Sequence, residues 1–148
     1  MRSSRSISRL FGFLAILIGS LPSTAYAQCT LNAQSVSFGN YEVFDNNHLD
    51  GVGNVNVACD VSSSYTIALS PGNGSFTNRV LLNGQHELLY NLFIDAARTI
   101  VWGDGTGTSS TASGVGTNTN FAVYGRIPAR QNVYVGNYQD NVTVTLVF

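Results

Sequence analysis

The sequence predicts an all-β fold, an antiparallel sandwich, and three observations carry that reading. Gly, Ser, Thr and Asn dominate the polar residues, all weak helix formers, while Val, Thr, Tyr and Phe recur in short alternating runs. Turn chemistry separates those runs: Asp50-Gly51, Pro71-Gly72, Asn73-Gly74, Asn83-Gly84 and Asp104-Gly105 supply the positive φ that tight turns need. The sequence closes on Asn141-Val142-Thr143-Val144-Thr145-Leu146-Val147-Phe148, which alternates apolar and polar. Period-two geometry puts Val142, Val144, Leu146 and Phe148 on one face. A strand edge with nothing to cover it calls for a pairing partner, and another protein is the expected one.

Residues 1–27 read as a secretory signal. Arg2, Arg5 and Arg9 form a positive start, residues 10–21 are an apolar run broken only by Gly12, Gly19 and Ser20, and Ala25-Tyr26-Ala27 offers a small-x-small cleavage site. The run is shorter than the roughly 20 apolar residues that span a bilayer, and no other stretch is long and apolar enough. The mature domain is then 28–148, enough for one β-sandwich with a core of its own.

The predicted strands follow in order: 35–43, 54–61, 65–70, 88–95, 121–127 and 141–148. In the second, Val55, Val57, Cys59 and Val61 share one face and Asn54, Asn56 and Asp60 the other, the mark of an antiparallel sheet with one buried side. The stretch 103–120 is almost entirely Gly, Thr, Ser and Asn, and reads either as a surface loop or as a low-complexity strand pair at the sandwich edge. No repeat or interdomain linker interrupts the chain.

Charge narrows the function classes. Three of the seven basic residues fall in the leader, so Arg79, Arg98, Arg126 and Arg130 remain against eight acidic residues, and there is no lysine. Nucleic-acid binding wants a basic stripe over the phosphates, which four scattered arginines do not form, and anionic membrane surfaces are disfavoured on the same ground. Cys29 and Cys59 are an even pair in an exported chain, which points to a disulfide. A metal site or two free thiols are the rivals, with His48 and His86 near neither cysteine in sequence.

Chemistry-bearing patterns are thin. Gly103-Asp104-Gly105-Thr106-Gly107 lacks the following helix that a phosphate loop requires. The stretch Asp45-Asn46-Asn47-His48-Leu49-Asp50-Gly51 resembles a calcium loop, but Leu49 falls where an oxygen ligand belongs and Asn56 where the loop's glutamate belongs. The two histidines sit in no catalytic motif, and Asp45 with Asp50 follows no spacing rule for a paired-carboxylate hydrolase. Asn73-Gly74-Ser75 and Asn141-Val142-Thr143 fit the glycosylation triplet, which is short enough to arise by chance. Trp102, Tyr124 and Tyr134 offer stacking surfaces for a carbohydrate-binding alternative, although buried aromatics are commoner. No enzyme, cofactor or metal is expected.

Taken in order, Cys29-Thr30-Leu31, Phe38-Gly39-Asn40-Tyr41, Val57-Ala58-Cys59, Tyr65-Thr66-Ile67-Ala68-Leu69-Ser70 and Leu89-Tyr90-Asn91-Leu92 form a recognisable series. Asp95-Ala96-Ala97-Arg98, Val101-Trp102-Gly103-Asp104-Gly105, Tyr124-Gly125-Arg126-Ile127-Pro128-Ala129 and Tyr138-Gln139-Asp140-Asn141-Val142-Thr143-Val144 continue it. The mature chain thereby resembles the spore coat protein U domain, the module of subunits of archaic chaperone–usher pili. The resemblance implies an immunoglobulin-like sandwich lacking its final strand and a disulfide from the first strand to the second, which fits Cys29 and Cys59. It also implies a periplasmic chaperone that lends the missing strand, an outer-membrane usher, and a neighbouring pilin subunit whose N-terminal extension replaces the chaperone's strand. Val142, Val144, Leu146 and Phe148 would then border the acceptor groove, on a cell-surface fibre serving attachment or biofilm formation.

One feature departs from polymerising members of that family. Cleavage after Ala27 leaves only Gln28 ahead of Cys29, too little for a donor segment, so the expected place is a fibre tip or terminus. The runner-up is a self-contained coat or matrix protein that needs no usher.

Overall fold

The structure, a computed structural model, describes residues 27–148. The predicted signal, at residues 1–27, lies outside the described residues but for Ala27. Six strands make up the fold: β1 (Cys29–Gln34), β2 (Leu49–Leu69), β3 (Arg79–Asn83), β4 (His86–Phe93), β5 (Ala112–Ile127) and β6 (Val144–Val147). Every strand pairing is antiparallel. Strand order is β1-β2-β5-β4-β3, with β6 attached separately to β2. This is the expected antiparallel, immunoglobulin-like all-β architecture, built as one curled sheet resembling half a barrel.

The curl comes from the two long strands. β2 and β5 pair from Leu49↔Ile127 to Ala58↔Asn118 and resume from Ser63↔Gly116 to Ile67↔Ala112. Between these blocks, residues 59–62 of β2 face residue 117 of β5 alone. Surplus residues on one strand bend it and increase its twist, so one strand pair serves both layers. β1 flanks the first half of β2, and β6 flanks the second half, from Thr66↔Val147 to Leu69↔Val144.

The inward faces meet in a core of Val55, Val57, Tyr65, Ile67 and Leu69 from β2, Leu88, Tyr90 and Leu92 from β4, and Trp102 from the following loop. Trp102 is 0% exposed and its indole N–H donates to the Ile67 carbonyl at 2.9 Å. The outward faces are polar: Asn56 donates to the side-chain oxygens of Asn118 at 2.7 Å and Asn120 at 3.0 Å across the β2–β5 pair.

Several sequence-based expectations are corrected. No strand covers 35–43; β1 lies earlier, and the chain after it leaves the sheet edge to cross the inner face. Glycines make that crossing possible. A Cβ at Gly53 would lie 2.7 Å from the Gln34 carbonyl oxygen, and one at Gly125 would lie 2.6 Å from the Phe38 ring. Asp50-Gly51 is accordingly interior to β2 and not a turn. Runs 54–61 and 65–70 are one continuous strand, and 112–120, the low-complexity stretch, is the first half of β5. β3 was not anticipated; Asn83-Gly84 turns it into β4, with Gly84 at φ 60°. The terminal strand is shorter than expected, Val144–Val147, and Phe148 lies beyond it.

Candidate functional site

Among the described residues β1 pairs only with β2, and β6 pairs only with β2. The outer edges of β1 and β6 are therefore both free, and these two edges do not meet. Between them lies a cavity of about 190 Å³. One wall is the end of β1 with the segment leaving it, through Ala33, Val36 and Phe38; the other is the C-terminal segment, with Asp140, Val142 and Val144. The floor is the core itself: Val55, Leu69, Leu81, Leu92 and Val123 line it. Free edges carry unpaired backbone N–H and C=O groups, so this gap joins an apolar trough to main-chain hydrogen-bonding capacity.

The trough ends in polar chemistry. Tyr90 packs edge-on against Phe38, with centroids 5.9 Å apart, and its hydroxyl donates to Asp140 Oδ2 at 2.7 Å. Asp140 Oδ1 accepts from the backbone N–H of Asn73 at 3.0 Å and of Asn141 at 2.7 Å. Burial, and then the hydrogen bond to the Asp140 carboxylate, drive the Tyr90 hydroxyl far above its ordinary range, so it remains a donor. Gly72 sits against this carboxylate at φ 67°, where any Cβ would collide with Asp140.

Close to this end lies Arg79, 0% exposed. Its Nη1 donates to Asn91 Oδ1 at 2.9 Å, and its Nη2 donates to the carbonyls of Ser70 at 2.8 Å and Trp102 at 2.9 Å. The guanidinium lies 5.5 Å from the Phe76 ring centroid. Burial lowers its pKa from the ordinary arginine value, partly opposed by Tyr90 and Asp140. Arg79 thus ties β3, β4 and two loops together behind the groove. The sequence carried one signal for it, an arginine heading the apolar run Val80-Leu81-Leu82.

The residues expected to border the groove are partly gathered. Val142 and Val144 line the cavity, Leu146 packs against the core, and Phe148 is 62% exposed at the end of the chain. Cys29 and Cys59 are disulfide-bonded and directly opposite in the β1–β2 register. Closing a separation of 30 residues contributes roughly 3–4 kcal/mol by chain-entropy reasoning.

Other candidates disperse. His48 Nδ1 accepts from the Ala129 N–H at 3.2 Å, whereas His86 stacks on Tyr134 with ring centroids 4.3 Å apart. Asp50 is engaged by Arg126, whose Nε and Nη2 donate to its two oxygens at 2.7 and 2.9 Å, and by Arg98 at 3.3 Å. The Arg126 hydrogen bond holds Asp50 below the ordinary carboxylate range. Trp102 is buried and Tyr124 lies under the Arg98 guanidinium at 5.6 Å, so the two do not form a stacking platform with Tyr134.

Fold and groove together define an all-β domain of the curled, open-edged kind. The chain matches the model of the Spore Coat Protein U domain family over residues 17–145, and it belongs to that family. Protein U of Myxococcus xanthus is 34% identical over 129 residues, covering 77% of this chain and 72% of that protein. The fold is also similar to a chain in the crystal structure of the CsuC–CsuE chaperone–tip adhesion subunit pre-assembly complex from archaic chaperone–usher Csu pili of Acinetobacter baumannii. That match has a TM-score of 0.62 at 24% identity over 84% of this chain. This chain spans 40% of the length of that neighbour.

Proposed function

We propose that this chain is an exported structural subunit of a chaperone–usher type surface fibre, completed by an extended strand from another polypeptide. The observation that carries the proposal is the trough between β1 and β6, whose floor is the hydrophobic core. A strand laid there would gain main-chain hydrogen bonds from both edges and seal apolar surface with alternate side chains, the physics of strand addition. Family membership and the likeness to a chaperone–subunit complex support it.

In this reading a periplasmic chaperone supplies the first strand, an outer-membrane usher oversees exchange, and a neighbouring subunit supplies the final strand. Val142, Val144 and Leu146 border the inserted strand, and Phe148 extends that edge towards the chaperone. The role is structural, in attachment or biofilm formation, and not catalytic.

Co-expression with a chaperone of this class tests the proposal. The full chain should co-purify with it from the periplasm, and a chain truncated before Val144 should be exported yet not captured. Equal recovery of free, monodisperse protein with and without the chaperone would overturn it. The family's description as a spore coat domain favours a second reading, a coat or matrix protein completed by its own copies. Self-association into regular assemblies without any chaperone is the result that reading requires.

A further inference from the structure

The cavity lining is mostly apolar, with Gln34 and Ser35 on the β1 side, and its C-terminal wall changes character at one end. On its C-terminal wall the side chains at period two are Leu146, Val144, Val142 and Asp140. Asp140 is the one charged residue lining the cavity. An ionised carboxylate has about four acceptor positions. Three are taken, two on Oδ1 by the Asn73 and Asn141 amides and one on Oδ2 by the Tyr90 hydroxyl. Among the described residues nothing donates to the fourth, on Oδ2, which lies beside Gly72.

An inserted strand would shut solvent out of this end of the cavity. An apolar side chain placed there would strand a buried carboxylate lone pair, and an acidic one would add like-charge repulsion. A side chain with an N–H or O–H donor would satisfy it. We infer that Asp140, held by Tyr90, fixes the register of the incoming strand. The occupant is an extended segment with apolar residues beside Leu146, Val144 and Val142 and a hydrogen-bond donor at the next inward position, beside Asp140. This inference rests on the strand-acceptor reading above and deepens it.

Without such a mark, an apolar trough would accept a strand slipped by two residues nearly as well as one in place, since such a slip keeps the same faces inward. With it, a two-residue slip sets an apolar group on Asp140 and a polar one on the hydrophobic floor. Both errors cost at once.

The test uses the purified full chain and synthetic peptides that alternate valine inward with threonine outward. A single inward position is changed in turn to asparagine, leucine or aspartate, and binding is read by fluorescence anisotropy. We expect one favoured position, near one peptide end, where asparagine binds about ten-fold more tightly than leucine and aspartate binds worst. Moving the asparagine to the middle should weaken binding, because it must either face the apolar floor or drag the peptide out of the groove. In Asp140→Asn the aspartate penalty at the favoured position should vanish, and Tyr90→Phe should shrink the asparagine preference. Should either variant fail to fold, the walk on the unmutated chain decides by itself. Binding with no positional preference overturns the register claim alone, as does a preference unchanged in a folded Asp140→Asn chain. If no peptide binds at all, the strand-acceptor reading fails and this inference goes with it.

Discussion

Arg79 is a fully buried side chain whose hydrogen bonds reach across the fold. Its donors hold Asn91, Ser70 and Trp102, which come from one strand and two loops. Arg79→Leu would leave the Ser70 and Trp102 carbonyls without their donor, while Asn91 Oδ1 keeps the Leu92 N–H, and we expect a loss of about 3 kcal/mol of stability, read from urea unfolding. Arg79→Lys should recover little, because an ammonium lacks the planar fork. Asp50 makes a separate prediction. Its folded pKa lies below the ordinary value of 3.8, chiefly through the Arg126 hydrogen bond. Its stabilising contribution is therefore present above pH 3.8 and lost as pH falls through the depressed value. Asp50→Asn should flatten the acid limb of a stability–pH profile, and salt should reduce the difference because the pair is partly solvated.

At the scale of elements, the segment after β1 shapes the groove as much as any strand. Gly53 lets its backbone cross the inner face, with the Gln34 carbonyl oxygen only 2.7 Å from where a Cβ would stand. Gly53→Ala must push this wall outwards, and we expect about 1–3 kcal/mol of destabilisation with altered peptide binding in the same variant. This element also shows what the sequence made legible. Alternation located both halves of β2, the second half of β5 and the terminal edge, because each buries one face. The same alternation misassigned 35–43, since Val36 and Phe38 are partly buried by lying across the sheet and not by joining it. The glycines opposite, Gly51, Gly53 and Gly125, were the available signal. The first half of β5 hid in a Gly- and Thr-rich stretch because its inward position opposite Tyr65 is Gly114, where a Cβ would strike the Tyr65 and Phe121 rings. The Asp140–Tyr90 pair was hidden for a different reason: its partners are 50 residues apart, and nothing local in sequence announces a contact of that range.

For the whole molecule, the open trough governs behaviour in solution. Fully burying a Val, Leu or Phe side chain is worth about 1.5–3 kcal/mol, and several such groups wait at the groove for a cover. Domains of this size hold only about 5–15 kcal/mol in total. We expect the isolated chain to unfold at low denaturant or to aggregate, and a groove-filling peptide to raise its melting temperature with the logarithm of its concentration above Kd. Ordinary two-state unfolding of the free monomer, unchanged by any such peptide, would contradict the open-groove account.

β1 and β6 hang on the same strand, one on each side of the irregularity at 59–62. Tension delivered lengthwise through a guest segment seated between them would converge on β2 from both halves. Loading of that kind shears many main-chain hydrogen bonds together instead of peeling them singly. The Cys29–Cys59 bond adjoins that irregularity and ties β1 to β2 covalently, so it would carry part of any such load.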